Sequence, residues 1–533
     1  MVAAVLLMLV GGNLALQLAV AGARFLPRLN SDELVLSRSH EPAGPPTQRL
    51  ARTVVLVIID GLRVRESIGL PTLDSLRARG IESTAASHYP TFSRPNYVSI
   101  VTGVPPVASG VRSNQYDQPV FLDSLMDGTR AAHLRSGIVS DYSPGLAVMF
   151  TRNRVSAFDD FYYAVWPGGL VSSADHLIAE RYPLVILHLG AVDAAGHEYG
   201  GDSPEYLEAA RAVDRDLGEA LRGLDLTRDA VVVVADHGHT DAGGHGGLEP
   251  EVVEVPLILA GAGIRADAAL AGAATGPEQV RLIDVAPTVA ALLGLPPPAD
   301  GLGRTLTDAL DLPEAARLAM GERDAARAAR NQALVEHAQE SARARIIERR
   351  TWRVPIVIGL FVLGVLVFLY ARRWDVWRLD WRVLAVTLPA FPATYYATLA
   401  VLGQQYSPSF APERGDIEFT FMRWGVPAMV IHILVSWLAL RGRVVLKNRL
   451  AAANALTAFG MLIALLPAGL AWAIFPGPHA QVPGPALLVL VPASLIAAAF
   501  YVLASVVTLG LEIVIFFSRA VDPRQRDPKS TTT

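Results

Sequence analysis

The chain contains no cysteine. That excludes disulfide bonds and any thiolate-ligated zinc site, though it does not decide the compartment. Charge is also scarce: 18% of the 533 residues are Asp, Glu, Lys or Arg, with a formal net charge of -4. A balance this close to neutral gives no basic field of the kind a nucleic-acid polymer attracts. Hydrophobic residues make up 52%. They concentrate in Val2 to Ala23 and again beyond Arg353, which points to a membrane protein with a water-soluble insert.

Val2 to Ala23 is one apolar run long enough to span a bilayer. Its small-residue end, Ala19 to Gly22, is compatible with a secretory cleavage site, but the run exceeds an ordinary signal core and favours an uncleaved anchor. Glu41 to Gln48 reads as linker. Near-continuous apolar runs follow at Thr53–Ile59, Leu184–Leu189 and Val231–Ala235, with amphipathic patterns between them at Leu73–Arg79, Tyr97–Thr102 and Tyr206–Leu224. Buried strands alternating with helices predict an α/β domain with a parallel sheet and helices on both faces. Val255 to Leu259 reads as a further strand and Asp284 to Leu295 as a surface helix. Asp308 to Arg350 reads as a long solvated helix, because it lacks a wide apolar stripe.

Five more apolar runs lie at about 354–370, 383–402, 424–440, 450–475 and 486–517. Basic clusters follow the first (Arg372, Arg373, Arg378, Arg382), the third (Arg441, Arg443, Lys447, Arg449) and the last (Arg519, Arg524, Arg526, Lys529), while the second and fourth connections carry few Lys or Arg. The positive-inside rule then puts the carboxyl tail in the cytoplasm and the insert outside it, periplasmic or lumenal. The expected organisation is an anchor (1–23), a linker (24–51), a catalytic domain (52–307), a charged helical stalk (308–352), an all-α membrane bundle (353–518) and a tail (519–533).

The chemistry concentrates where each buried strand ends. Asp60 follows the first, Asp193 and His197 the second, Asp236 and His237 the third, and His245 lies eight residues further on in a glycine-rich loop. Carboxylates and imidazoles at the carboxyl edge of such a sheet suit divalent cations. Two cations could clamp the attacking and leaving oxygens of a phosphoryl group. Without thiolate, this donor set suits zinc best and admits manganese. In Tyr89–Tyr97, a hydroxyl residue precedes a helix whose free N–H groups could receive a phosphate, and that hydroxyl could itself attack phosphorus.

In this order the pieces Ile59-Asp60-Gly61, Pro90-Thr91-Phe92-Ser93-Arg94-Pro95, Gly190 to His197 and Asp236 to Gly246 resemble the alkaline phosphatase superfamily. The branch they resemble is that of type I phosphodiesterases and nucleotide pyrophosphatases, which includes the glycosylphosphatidylinositol ethanolamine-phosphate transferases. The likeness spans about 52–306. It implies an alkaline-phosphatase-like fold and two zinc ions, one held by Asp60, Ser93, Asp236 and His237, the other by Asp193, His197 and His245. It implies a phosphorylated Ser93, favoured over the neighbouring hydroxyl of Thr91, and an Asn96 that contacts phosphate oxygen. The substrate class it implies is a phosphodiester, lipid- or glycan-linked, cleaved by water or passed to an alcohol acceptor. The chain departs from the pattern at His239, where many relatives have Met, in having Ser rather than Thr as nucleophile, and in its fewer membrane spans. Two rivals stand beside this reading. A sulfatase would need Arg where Tyr97 stands. An inert membrane scaffold would be expected to have lost ligands.

Overall fold

The structure, a computed structural model, describes residues 2–30, 36, 47–152, 155–266, 279–373, 381–402, 407–410, 417–441, 446–475 and 481–521. The expected linker residues 41–46, Arg378, Arg443 and the tail 522–533 lie outside the described residues.

Ten strands are described: β1 (Val54–Ile59), β2 (Gly80–Ala86), β3 (Ser136–Ser140), β4 (Thr151–Arg152), β5 (Val155–Ser156), β6 (Asp160–Tyr163), β7 (Leu184–Leu189), β8 (Ala230–Val234), β9 (Glu254–Gly261) and β10 (Val280–Arg281). Eight of them form one sheet in the order β10-β2-β9-β8-β1-β7-β3-β6; β4 and β5 make a separate two-residue hairpin. β1 sits between β7 and β8, parallel to both, with Val54 opposite Leu184 and Ala230. All three strands are buried along their whole length. That is why their sequences show no polar alternation: both faces meet helices. The sheet is mixed rather than wholly parallel, because β9 runs antiparallel to both β8 and β2. An apolar strand reads the same in either direction, so composition could not show this.

The expected helices are present as Pro71–Arg77, Ser93–Thr102, Pro204–Ala220 and Val285–Leu292. The longest of these starts where Ser203 accepts the Tyr206 N–H at 3.1 Å, with Pro204 in its first turn. The core of this α/β part is continuous from the sheet through the helices.

The predicted solvated helix is in fact the first half of a 60-residue helix, Glu314–Arg373, and it is docked rather than free. Asp324, Arg327 and Asn331 are buried, as are Met320 and Val335. Arg327 donates to the carbonyls of Gly301 and Gly303, and Asn331 donates to those of Ala299 and Gly301 at 2.8 and 2.9 Å. Asp324 accepts the Thr305 N–H at 2.6 Å and pairs with Arg327 at 2.8 Å. The seam is mostly polar, which is why no broad apolar stripe marks it.

The remaining apolar runs are helices at Trp381–Leu402, Ile417–Leu440, Leu446–Ile474 and Pro485–Val521. Three, over Arg382–Val401, Phe421–Leu440 and Pro485–Leu511, are long and apolar enough to cross a membrane; Met8–Ala23, Trp352–Leu366 and Phe459–Ile474 are shorter apolar helical stretches. The amino-terminal helix lies against Pro485–Val521, close enough that a Cβ on Gly22 would come within 2.9 Å of Ile496. Its end is clamped to the α/β part. Arg112, fully buried, donates to the Leu29 carbonyl at 3.0 Å, and Asn30 Oδ1 accepts the N–H groups of Arg112 and Ser113.

Candidate metal centre

The three central strands deliver their carboxylates to one place. Asp60 directly follows β1, Asp236 comes two residues after β8, and Asp193 stands in the first turn of helix Ala191–Tyr199, which begins two residues after β7. His197 is one turn further along that helix, on the same face. All are at the carboxyl edge of the sheet, in line with expectation.

Around Asp60 the groups are tightly gathered. His237 Nε2 lies 3.3 Å from Asp60 Oδ1 and 3.3 Å from Asp236 Oδ2. Ser93 Oγ, at the start of its helix, lies 3.1 Å from the same nitrogen. His237 Nδ1 sits 3.0 Å from the Gly238 carbonyl, so that nitrogen carries the proton and Nε2 offers its lone pair. Gly61 N–H donates to Asp236 Oδ1 at 3.1 Å, and Tyr97 OH donates to Asp60 Oδ2. The facing oxygens, Asp60 Oδ1 and Asp236 Oδ2, are buried and accept no hydrogen bond.

The second gathering surrounds Asp193. His197 Nε2 and His245 Nε2 face one another at 3.1 Å, and lie 3.4 and 3.7 Å from Asp193 Oδ1. His245 Nδ1 donates to the Thr91 carbonyl at 2.8 Å, leaving its Nε2 lone pair directed inward. The rings of His237 and His245 stack at 3.7 Å and tie the two gatherings together. The expected ligand residues are thus assembled, and three overlapping His and carboxylate groups have donor atoms within 4.8 Å of one another.

The residues fit cations on two grounds. Orphaned carboxylate oxygens in a buried place are costly unless something positive faces them. Two imidazole lone pairs converging on one point also want a shared acceptor. Without one, the site draws protons. Burial, then the Asp60 charge, pushes the Asp236 carboxyl well above the usual range. Burial opposes the His237 cation, but Asp236 and Asp60 outweigh it and lift that imidazole to about 10.

Three contributors were not expected. His239 is fully buried rather than solvated. Its Nδ1 accepts the Gly244 N–H at 3.2 Å, so its Nε2 is protonated and donates to Asp193 Oδ1 at 2.9 Å. In this arrangement it orients the Asp193 carboxylate. Gly61, at positive φ, and Gly196 make room for its ring; a Cβ at either would lie within 2.9 Å of it. Tyr97 follows Ser93 by four residues, hence on the same helical face, and that spacing was a usable signal. His188, at the end of β7, lies 2.8 Å from the Tyr97 hydroxyl and 3.5 Å from Asp60 Oδ2, so it supports the site from behind.

Two hydroxyl-loop residues serve the loop itself. Thr91 Oγ1 donates to the Gly247 carbonyl and accepts the Gly246 N–H, both at 2.9 Å. Asn96 is fully buried; its Oδ1 accepts the His88 N–H at 3.0 Å and its Nδ2 donates to the His88 and Phe92 carbonyls, each at 3.0 Å. Between the hydroxyl loop and β7, Phe158 is core while Phe161, Tyr163 and Trp166 are exposed.

A model of the family described as type I phosphodiesterase / nucleotide pyrophosphatase matches residues 54–134 and 139–249. Among curated proteins, GPI ethanolamine phosphate transferase 1 of Gibberella zeae is 28% identical over 331 residues, covering 50% of this chain and 33% of its own length. The Mus musculus protein of the same name is 26% identical over 309 residues, covering 49% and 33%. The chain therefore spans about a third of the length of these relatives. Among solved structures, murine ectonucleotide pyrophosphatase / phosphodiesterase 5 is similar at TM-score 0.39 and 15% identity, over 46% of this chain and 95% of that one. The wild-type alkaline phosphatase PafA is similar at TM-score 0.41 and 11% identity, over 50% and 100%. The matched segments, and the motifs within them, place the likeness to the type I phosphodiesterase / nucleotide pyrophosphatase family in the α/β part of this chain.

Proposed function

We propose that this chain is a membrane-bound phosphodiester-processing enzyme that works outside the cytoplasm with two divalent metal ions, zinc fitting best, and forms a phosphorylated Ser93. The observation that carries this is the placement of Ser93 Oγ 3.1 Å from His237 Nε2, in front of the unpartnered oxygens of Asp60 and Asp236. We assign Asp60, Ser93, Asp236 and His237 to one metal and Asp193, His197 and His245 to the other.

The ions, when bound, would lower the pKa of a hydroxyl and neutralise charge on phosphoryl oxygens. The chain does the rest. Ser93 Oγ gives up its proton and bonds to phosphorus as the bond to the leaving alcohol oxygen breaks; that oxygen takes a proton. An acceptor hydroxyl, from water or an alcohol, then gives up its proton and bonds to phosphorus as the Ser93 Oγ–P bond breaks, and Ser93 Oγ takes a proton back. Asn96 and Thr91 hold the turn that presents Ser93. His239 holds Asp193, and Tyr97 with His188 holds Asp60. The boundaries expected for anchor, linker, catalytic domain, stalk, bundle and tail belong to the same proposal.

The extracytoplasmic placement has structural support. Ser409 and Pro483 belong to the two connections poor in Lys and Arg, and both touch the α/β part, at Gly247 and Tyr89. The positive-inside rule puts those connections outside, and these contacts support putting the α/β part with them. A second reading is transfer of ethanolamine phosphate, or a similar group, to a glycolipid or glycan. The names of the curated relatives favour it.

The test is a substrate panel on purified full-length protein: bis-nitrophenyl phosphate, nitrophenyl phosphate and phosphatidylethanolamine. Diester turnover that requires metal and Ser93 is expected. Preference for the monoester rejects the diester assignment, and transfer of label from the lipid selects the second reading.

A further inference from the structure

We propose that the segment 407–410 of the carboxyl-terminal helical half is a working part of the active site, with Ser409 a positioning residue for the loop that carries His245. The inference rests on reading that site as a phosphodiester-processing centre.

Ser409 lies between helices Trp381–Leu402 and Ile417–Leu440, about 160 residues beyond the metal loop, yet it is fully buried against it. Its hydroxyl accepts the Gly247 N–H at 2.9 Å and donates to Glu249 Oε2 at 2.8 Å. Ser407 Oγ accepts the Ser409 N–H at 3.2 Å and holds the segment in place. Gly247 has no spare room: a Cβ there would lie 2.2 Å from Ser407 Oγ and 2.7 Å from Ser409 Oγ. The contact is a fitted one, made possible by glycine.

From Gly247 the coupling runs straight into the chemistry. The Gly247 carbonyl accepts from Thr91, and the carbonyl of Thr91 accepts from His245 Nδ1. That last bond fixes which nitrogen of His245 faces Asp193. Two residues after Thr91 comes Ser93, and between them Phe92 packs edge-on to His245 at 5.8 Å. Phe92 is itself buried in a core shared with Leu26, Phe391, Tyr395, Phe421 and Leu488. Tyr89 adds a hydrogen bond to the Pro483 carbonyl at 2.7 Å. The nucleophile turn and the metal loop are thus braced by the helices on which they sit, and the helical half is more than a tether.

The test uses the full chain in detergent or nanodiscs, supplied with zinc, and measures kcat, KM, bound zinc and the unfolding midpoint on bis-nitrophenyl phosphate. Ser409→Ala breaks two hydrogen bonds of a buried side chain and so lowers the midpoint, and it is expected to lower kcat per folded, zinc-loaded molecule about tenfold, with KM changed less than about twofold. Ser407→Ala is expected to do the same to a smaller degree. Wild-type kcat in Ser409→Ala, or a fall fully accounted for by loss of folded protein, overturns the proposal. A wild-type protein inert toward the diester would instead overturn the underlying reading of the site.

Discussion

His239 donates to Asp193 Oδ1 at 2.9 Å because its other nitrogen is already held by the Gly244 N–H. The bond aims one carboxylate oxygen toward His197 and His245. Replacing His239 by Leu removes that aim while keeping most of the volume. Zinc affinity at the Asp193 position should fall by about 10–100-fold, the usual effect of losing such a partner. Competition with a chromophoric chelator reads it; equal affinity in wild type and variant refutes the role.

Ser93 and Thr91 separate cleanly. Ser93→Ala should cut diester turnover by at least about 1,000-fold while the protein still folds and binds metal. Thr91→Ala breaks two buried hydrogen bonds within the loop and should cost about 1–3 kcal/mol of stability, with activity reduced rather than abolished. Comparing kcat with the unfolding midpoint for each variant checks the pair. Near-normal turnover in Ser93→Ala would return the nucleophile to Thr91.

Metal binding should strengthen with pH. In the metal-free protein His237 is protonated up to about 10, and ligation needs the neutral ring. Below that pH the ion held by His237 must displace a proton, so its apparent affinity should climb by about tenfold per pH unit between about pH 6 and 9. The sign is fixed, because raising pH removes the competitor. Zinc titrations across that range measure the slope, and a flat profile contradicts the ligand assignment.

Arg327→Ala should destabilise the α/β part by about 3 kcal/mol. The substitution strips the Gly301 and Gly303 carbonyls of a donor and leaves the Asp324 carboxylate buried without its cation. Denaturant unfolding of the purified protein gives the value. A loss under about 0.5 kcal/mol would mean that the seam is incidental.

What could be read from sequence was whatever repeats a local rule. Asp60, Asp193 and Asp236 were legible because each comes at or just beyond the end of an apolar strand, and strand ends in such sheets gather at one edge. The direction of β9 was not legible, since its composition carries no polarity along the chain. His239 was hidden because an imidazole in a glycine-rich loop looks exposed; its burial depends on glycines 61 and 196, far away in sequence. Arg327 and Asn331 were hidden for a related reason. Their partners are backbone carbonyls, which have no letter in a sequence. Ser409 lies about 160 residues from the loop it braces, beyond the reach of any spacing argument.

The helix Glu314–Arg373 is continuous over 60 residues, with Pro355 inside it, about 90 Å measured along its path at the usual rise. Its first half is keyed by Arg327 and Asn331, while its far end runs among apolar helices. The two halves are therefore geared to each other. Inserting one residue near 345 would turn one set of contacts by about 100° relative to the other, whereas four would bring it back to within about 40°. The length of this shaft is set by angular phase as much as by distance.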